Sequence, residues 1–105
     1  MIVSNIEAVP GRRIVQHLGL VQGNTIRAKH VGRDIMARFK NLIGGEIKSY
    51  TSLLTQARQE ALQRMIDQAQ ELGANAVVNV RFSTSSVMQG AAELLAYGTA
   101  ILVEE

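Results

Sequence analysis

This 105-residue chain contains no cysteine and no tryptophan, has a single proline, and draws only 4% of its residues from the aromatics. Without thiols there are no disulfides, no thiolate zinc or iron–sulfur centres and no cysteine nucleophile. The shortage of aromatics removes the stacking platforms that hold single-stranded nucleic acids. No apolar run approaches the length of a membrane span. The N-terminal Met1-Ile2-Val3-Ser4-Asn5 has no basic segment leading into an apolar one. No membrane partner is expected, and a cytoplasmic location is the default. No repeat, low-complexity tract or Pro-rich linker divides the chain, so a single domain over residues 1–105 is expected.

What is present is apolar surface. At 47% hydrophobic residues the composition is that of a globular domain. A chain this short nevertheless buries only about 60% of its unfolded surface by itself. A sheet carrying one helix layer leaves apolar surface to spare, a first pointer to self-association. The net charge of +2 is unevenly spread, with +5 over residues 1–50 and −3 over residues 51–105. Arg12, Arg13, Arg27, Lys29, Arg33, Arg38 and Lys40 lie in the basic half, with Phe39 the one aromatic among them. A nucleic-acid surface needs such charges on one face with aromatics between them. A solvated basic surface is the simpler reading, and no nucleic-acid partner is expected.

The strongest pattern lies between Tyr50 and Phe82. Tyr50, Leu54, Ala57, Ala61, Met65, Ala69 and Leu72 recur at steps of three and four, which predicts one buried face of a helix from about Ser49 to Leu72. Gly73 stops it, and Asn75 just after the stop is read as shaping a turn. From Ala76 the pattern becomes a strand, with Ala76, Val78, Val80 and Phe82 on one side and Val77, Asn79 and Arg81 on the other. Ser83 to Ala92 reads as a small polar loop. In Glu93 to Val103 both faces are apolar: Leu94, Ala96, Ala100 and Leu102 against Leu95, Tyr97, Ile101 and Val103. Such a strand wants cover on both sides. One helix layer supplies one cover, and a second subunit is the simplest source of the other. Earlier in the chain, Met1 to Val3 reads as an edge strand, Arg13 to Gln22 as a strand ended by Gly23-Asn24, and Thr25 to Ala28 as a brief extended piece. A helix over Val31 to Ile43 is ended by Gly44-Gly45.

Several short motifs occur in a fixed order: Gly11-Arg12-Arg13-Ile14-Val15, Gly32-Arg33-Asp34-Ile35, Gly44-Gly45, Tyr50, Ala57-Arg58 with Ala61, Leu72-Gly73-Ala74-Asn75-Ala76-Val77-Val78 and Gly98-Thr99-Ala100. In this order the chain resembles the YbjQ-like family of small bacterial and archaeal proteins over nearly its full length. The run around Leu72 to Val78 and the late Gly98-Thr99-Ala100 are the most specific parts. The resemblance implies a two-layer α+β fold like the dodecin subunit, with helices packed on one face of an antiparallel sheet. It also implies assembly as a ring-shaped homo-oligomer, a pentamer. The family carries a heavy-metal-binding label and no assigned biochemical activity.

That label makes metal the first candidate chemistry. The cofactor is left open, with a divalent or heavy-metal ion as the one candidate. His30 and Asp34, four apart, would share a face if a helix begins by His30, and they are the local pair to test. His17 on a strand reads as a packed or interface residue, and Met65 as core filler. Acidic residues that the resemblance leads one to expect after the Asn75-Ala76-Val77 run are replaced by Arg81, Phe82, Ser83 and Thr84. Ser83 to Ser86 supply hydroxyls, but no Ser/His/Asp spacing supplies a base. Gly44-Gly45 with Lys48 lacks the spacing of a phosphate loop. The reading is therefore a structural or binding module, a homo-oligomer with any ligand at subunit interfaces. Metal binding and an enzyme with a composite inter-subunit site are the alternatives, and a non-enzyme is favoured over an enzyme. Arg81, Tyr97, Thr99 and Ile101 are the expected interface residues.

Overall fold

The three-and-four spacing around Ala61 becomes helix α1, Gly45–Glu71, in a computed structural model that describes residues 1–28, 45–88 and 91–105. Ala57, Ala61, Met65 and Ala69 are all fully buried, the face the spacing calls for. The helix ends at Gly73, whose positive φ of 86° suits a residue without a Cβ, and the Ala74 N–H closes the last turn on the Ala69 carbonyl. α1 begins four residues before the expected Ser49. The expected helix over Val31 to Ile43 lies outside the described residues.

Four strands make the other layer: β1 (Ile2–Val3), β2 (Ile14–Ala28), β3 (Ala76–Met88) and β4 (Ala91–Val103), in the order β1-β3-β4-β2. The three long strands pair antiparallel, and β1 adds a two-residue parallel pair along β3. The architecture is thus α+β in two layers, as expected, with a sheet that is mixed at its edge.

Three local readings are corrected. Gly23-Asn24 does not end a strand, because β2 runs straight through it. Gly23 is there because α1 crosses at that height: a Cβ would overlap the Ala61 carbonyl oxygen and the Met65 nitrogen and lie 2.7 Å from Arg64 Cβ. Ser83 to Met88 and Ala91-Ala92 are strand rather than loop. Their polarity reflects exposure, since every side chain from Arg81 to Ser86 faces water. The simple alternation along β3 also fails at Asn79, which has a φ of 54° at a register shift between Val78 and Arg81. The extra residue places Val77 and Val80 together on the helix side, with Ala76 and Val78 on the other.

Each face therefore has its own core. Under α1 lie Val21, Val77, Val80, Ala96 and Ala100, packed with Ala61, Met65 and Ala69. On the outer face Ala76, Val78, Ile101 and Val103 are covered by Val9, with Ile2 and Ile14 beside them. The N-terminal segment thus supplies the second cover for the lower end of β4, work that the pattern alone had given to another subunit. Its upper end is different. Leu95, Tyr97 and Thr99 stay half-buried, beside register partners Asn24, Gln22 and Leu20.

Candidate functional site: the open half of the sheet

Antiparallel register brings Arg81 opposite Tyr97 and Val78 opposite Thr99, so three of the four expected interface residues form one neighbourhood. The fourth, Ile101, is fully buried in the outer-face core of its own chain. Around that neighbourhood the outer face mixes polar Gln22 and Asn24 with apolar side chains that stand in water: Leu20 is 70% exposed and Ile26 56%. Lone exposed apolar side chains are ordinary, but each of these has a half-buried apolar residue diagonally across on β4, Tyr97 for Leu20 and Leu95 for Ile26, the pattern of a covered surface.

On the helix side a groove of about 700 Å³ opens between the N-terminal segment, α1 and β3, lined by Val3, Ser4, Asn5, Leu62, Val80, Arg81 and Phe82. Its floor is apolar, with Phe82 49% exposed. Arg81 is pinned at its end, because one guanidinium nitrogen donates to the Asn5 carbonyl at 2.6 Å and the Val80 carbonyl at 3.0 Å.

The two long sheet edges are treated differently. The N-terminal segment covers β3 as far as Val80, through Ser4 N–H to the Val77 carbonyl, Asn79 N–H to Ile6 and Val80 N–H to Ser4. Beyond it, among the described residues, no strand pairs with Arg81–Ser85 on that side. The outer edge of β2, which no strand pairs among the described residues, is guarded instead by the helix. Gln68 accepts from the Gln22 N–H at 2.7 Å, and Arg64 donates to the Asn24 carbonyl at 2.5 Å while pairing with Glu60 at 2.6 Å. Such side-chain cover is one way a protein blunts an exposed strand edge.

The metal expectation finds no support within this geometry. Among the described residues no group of three or more His, Cys, Asp or Glu side chains comes together. His17 is exposed on β2, and Met65 is core filler as expected. His30 and Asp34 lie outside the described residues. The donor set that is described does not fit a heavy-metal ion, which prefers thiolate and imidazole.

Asn75 does more than its position suggested. Its side chain accepts from the Val103 N–H and donates to the Val103 carbonyl, both at 2.9 Å. Its own N–H reaches Ile101 and its carbonyl takes the Ile2 N–H. One asparagine thereby ties β1, the start of β3 and the end of β4. The signal was its place between a glycine helix stop and a strand, where an amide side chain can stand in for a missing backbone partner.

Among the described residues, these features define a small two-layer sheet-and-helix module with one half-open face and one edge that no strand pairs. The family model described as "Putative heavy-metal-binding" matches residues 1–104, and the chain belongs to that YbjQ-like family. It is 65% identical to the UPF0145 protein of Hahella chejuensis, over 99% of this chain and 100% of that one. Against the UPF0145 protein of Archaeoglobus fulgidus the identity is 61%, covering 96% and 94% of the two chains. A crystal structure of a protein of unknown function from the DUF74 family of Pediococcus pentosaceus superposes with a TM-score of 0.66 at 18% identity, over 99% and 98% of the chains, a likeness of fold. No helix among the described residues is long and apolar enough to cross a membrane.

Proposed function

We propose that this chain works as a homo-oligomeric structural or binding module, a ring and by family resemblance a pentamer, which holds any ligand where subunits meet. The observation that carries this reading is the uncovered upper half of the sheet's outer face, where Leu20 and Ile26 stand in water beside half-buried Leu95 and Tyr97. Burying such a surface against a second copy removes it from water at about 25 cal/mol per Å².

Native mass spectrometry of untagged protein, purified without added metal, tests it. The expected result is one discrete oligomer. Leu20→Asp places a charge on the exposed face with little consequence for the fold, because Leu20 is 70% exposed. In an interface that charge costs about 3 kcal/mol, roughly a hundredfold in dissociation constant. The variant is expected to run as smaller species that stay folded, with the midpoint lowered only by the loss of subunit contacts, and Tyr97→Asp to behave alike. Ile101→Asp would report on folding rather than assembly. A monomeric parent protein would remove the reading.

Metal binding is the second reading, favoured by the family description. It rests on His30 and Asp34, spaced four apart in the sequence. Titration with zinc or copper is then expected to saturate and to weaken in His30→Ala. Superimposable titrations of the two proteins would eliminate that pair.

A further inference from the structure

The two flanks of α1 carry opposite charge and look out over opposite edges of the sheet. On one flank Leu62 lines the groove beside Phe82, and Arg58 stands one turn before it, bonded to the Thr55 hydroxyl at 3.2 Å. With Arg81 at the groove's end, this side presents two guanidinium groups around an apolar floor, and among the described residues no carboxylate lines the groove. On the other flank Arg64 and Gln68 reach the edge of β2. Glu60, Asp67 and Glu71 share that flank by their helical spacing. Arg64 is engaged with Glu60 and the Asn24 carbonyl, which leaves Asp67 and Glu71, both exposed, to set its outward charge.

Building on the oligomeric reading, we propose that a second copy of this chain docks its Glu60–Glu71 flank against the groove beside Phe82, setting Asp67 and Glu71 opposite Arg58 and Arg81. The neighbour covers the apolar floor of Leu62, Val80 and Phe82. Along the edge it meets Ser83, Thr84 and Ser85, neutral hydroxyls that oppose no charge. Because the two surfaces lie on opposite sides of one subunit, the contact is head-to-tail, and repetition of a head-to-tail contact closes a ring when the rotation allows. Complementary charge sets the partner and the register, while burial of the apolar floor holds them.

Charge exchange tests it, read by native mass spectrometry and light scattering at low salt, with circular dichroism melts confirming that each protein is folded. Arg58→Glu with Arg81→Glu is expected to abolish the parent oligomer, as is Asp67→Lys with Glu71→Lys. The chain carrying all four substitutions has both surfaces reversed and is expected to regain the parent mass. Arg81 also holds two backbone carbonyls, so a second cycle uses Arg58→Glu and Asp67→Lys, each on an exposed side chain, with the same loss and regain expected. A parent oligomer whose mass survives either reversal, or folded combined variants that stay dissociated, overturns this contact and leaves the oligomeric reading standing. A monomeric parent protein overturns both.

Discussion

Gly23→Ala is expected to lower the unfolding midpoint by roughly 15 °C, the steepest loss foreseen for a single methyl group in this chain. The cause is the distance between layers. α1 meets β2 through Ala57, Ala61 and Ala69, small side chains that let the helix backbone come down onto the sheet, and Gly23 is the contact point on the strand. A Cβ at residue 23 meets the helix's own backbone at Ala61 and Met65. A flexible side chain can swing aside, but a helix must lift as a unit. Lifting it opens a gap over the Val21 and Ala96 core and weakens the Thr25 hydroxyl bond to the Ala57 carbonyl, now 3.2 Å. Overpacking of this kind costs about 3 kcal/mol. Thermal and urea unfolding of Gly23→Ala beside Gln22→Ala provide the measurement. The neighbouring change trims an exposed side chain, keeps the residue 22 N–H bonded to Gln68, and is expected to cost under about 1 kcal/mol. Equal midpoints for the two variants would mean that α1 does not sit at this height.

The second large effect is expected at Asn75. Asn75→Ala removes both bonds to Val103 and leaves that residue's N–H and carbonyl part-buried without their partner, a cost of roughly 2–4 kcal/mol for the two groups. Asn75→Asp separates the two halves of the clamp. It keeps an acceptor for the Val103 N–H but turns an oxygen toward the Val103 carbonyl, where the amide had offered a proton. The aspartate variant is therefore expected to be no more stable than the alanine one at neutral pH, although it is nearly the same shape. Urea denaturation midpoints rank the three proteins. If aspartate matched the parent, the donor half of the clamp would be contributing nothing.

How far the residues revealed these features depended on whether the cause was local. The buried face of α1 could be read directly, because Ala57, Ala61, Met65 and Ala69 follow helical spacing and that spacing is itself the cause of burial. Gly23 was misread as a strand end because glycine serves turns and close approaches alike, and only the helix passing over it decides between them. Ser83 to Ser86 looked like a loop because polar side chains usually belong to loops. Here they belong to a strand with both faces in water. The bulge at Asn79 left no periodic trace, yet it moves Val80 to the opposite face from Val78. Among the expected interface residues, Arg81, Tyr97 and Thr99 come together as neighbours in register. Ile101 went to the core because the N-terminal segment, whose residues carry no strong pattern, folds over that end of the sheet.

The strand order carries a consequence for the birth of the protein. β4 is made after the other described elements, yet it lies in the middle of the sheet, with β3 on one side and β2 on the other. Until residues 91–103 have emerged, β2 lacks its described partner strand and β3 lacks the neighbour that joins it to β2. Residues 91–103 must therefore be made before the native sheet can assemble, and until then the alanine seam of α1 lacks the complete sheet on which it packs. Losing residues 91–103 removes the centre of the sheet rather than trimming its margin.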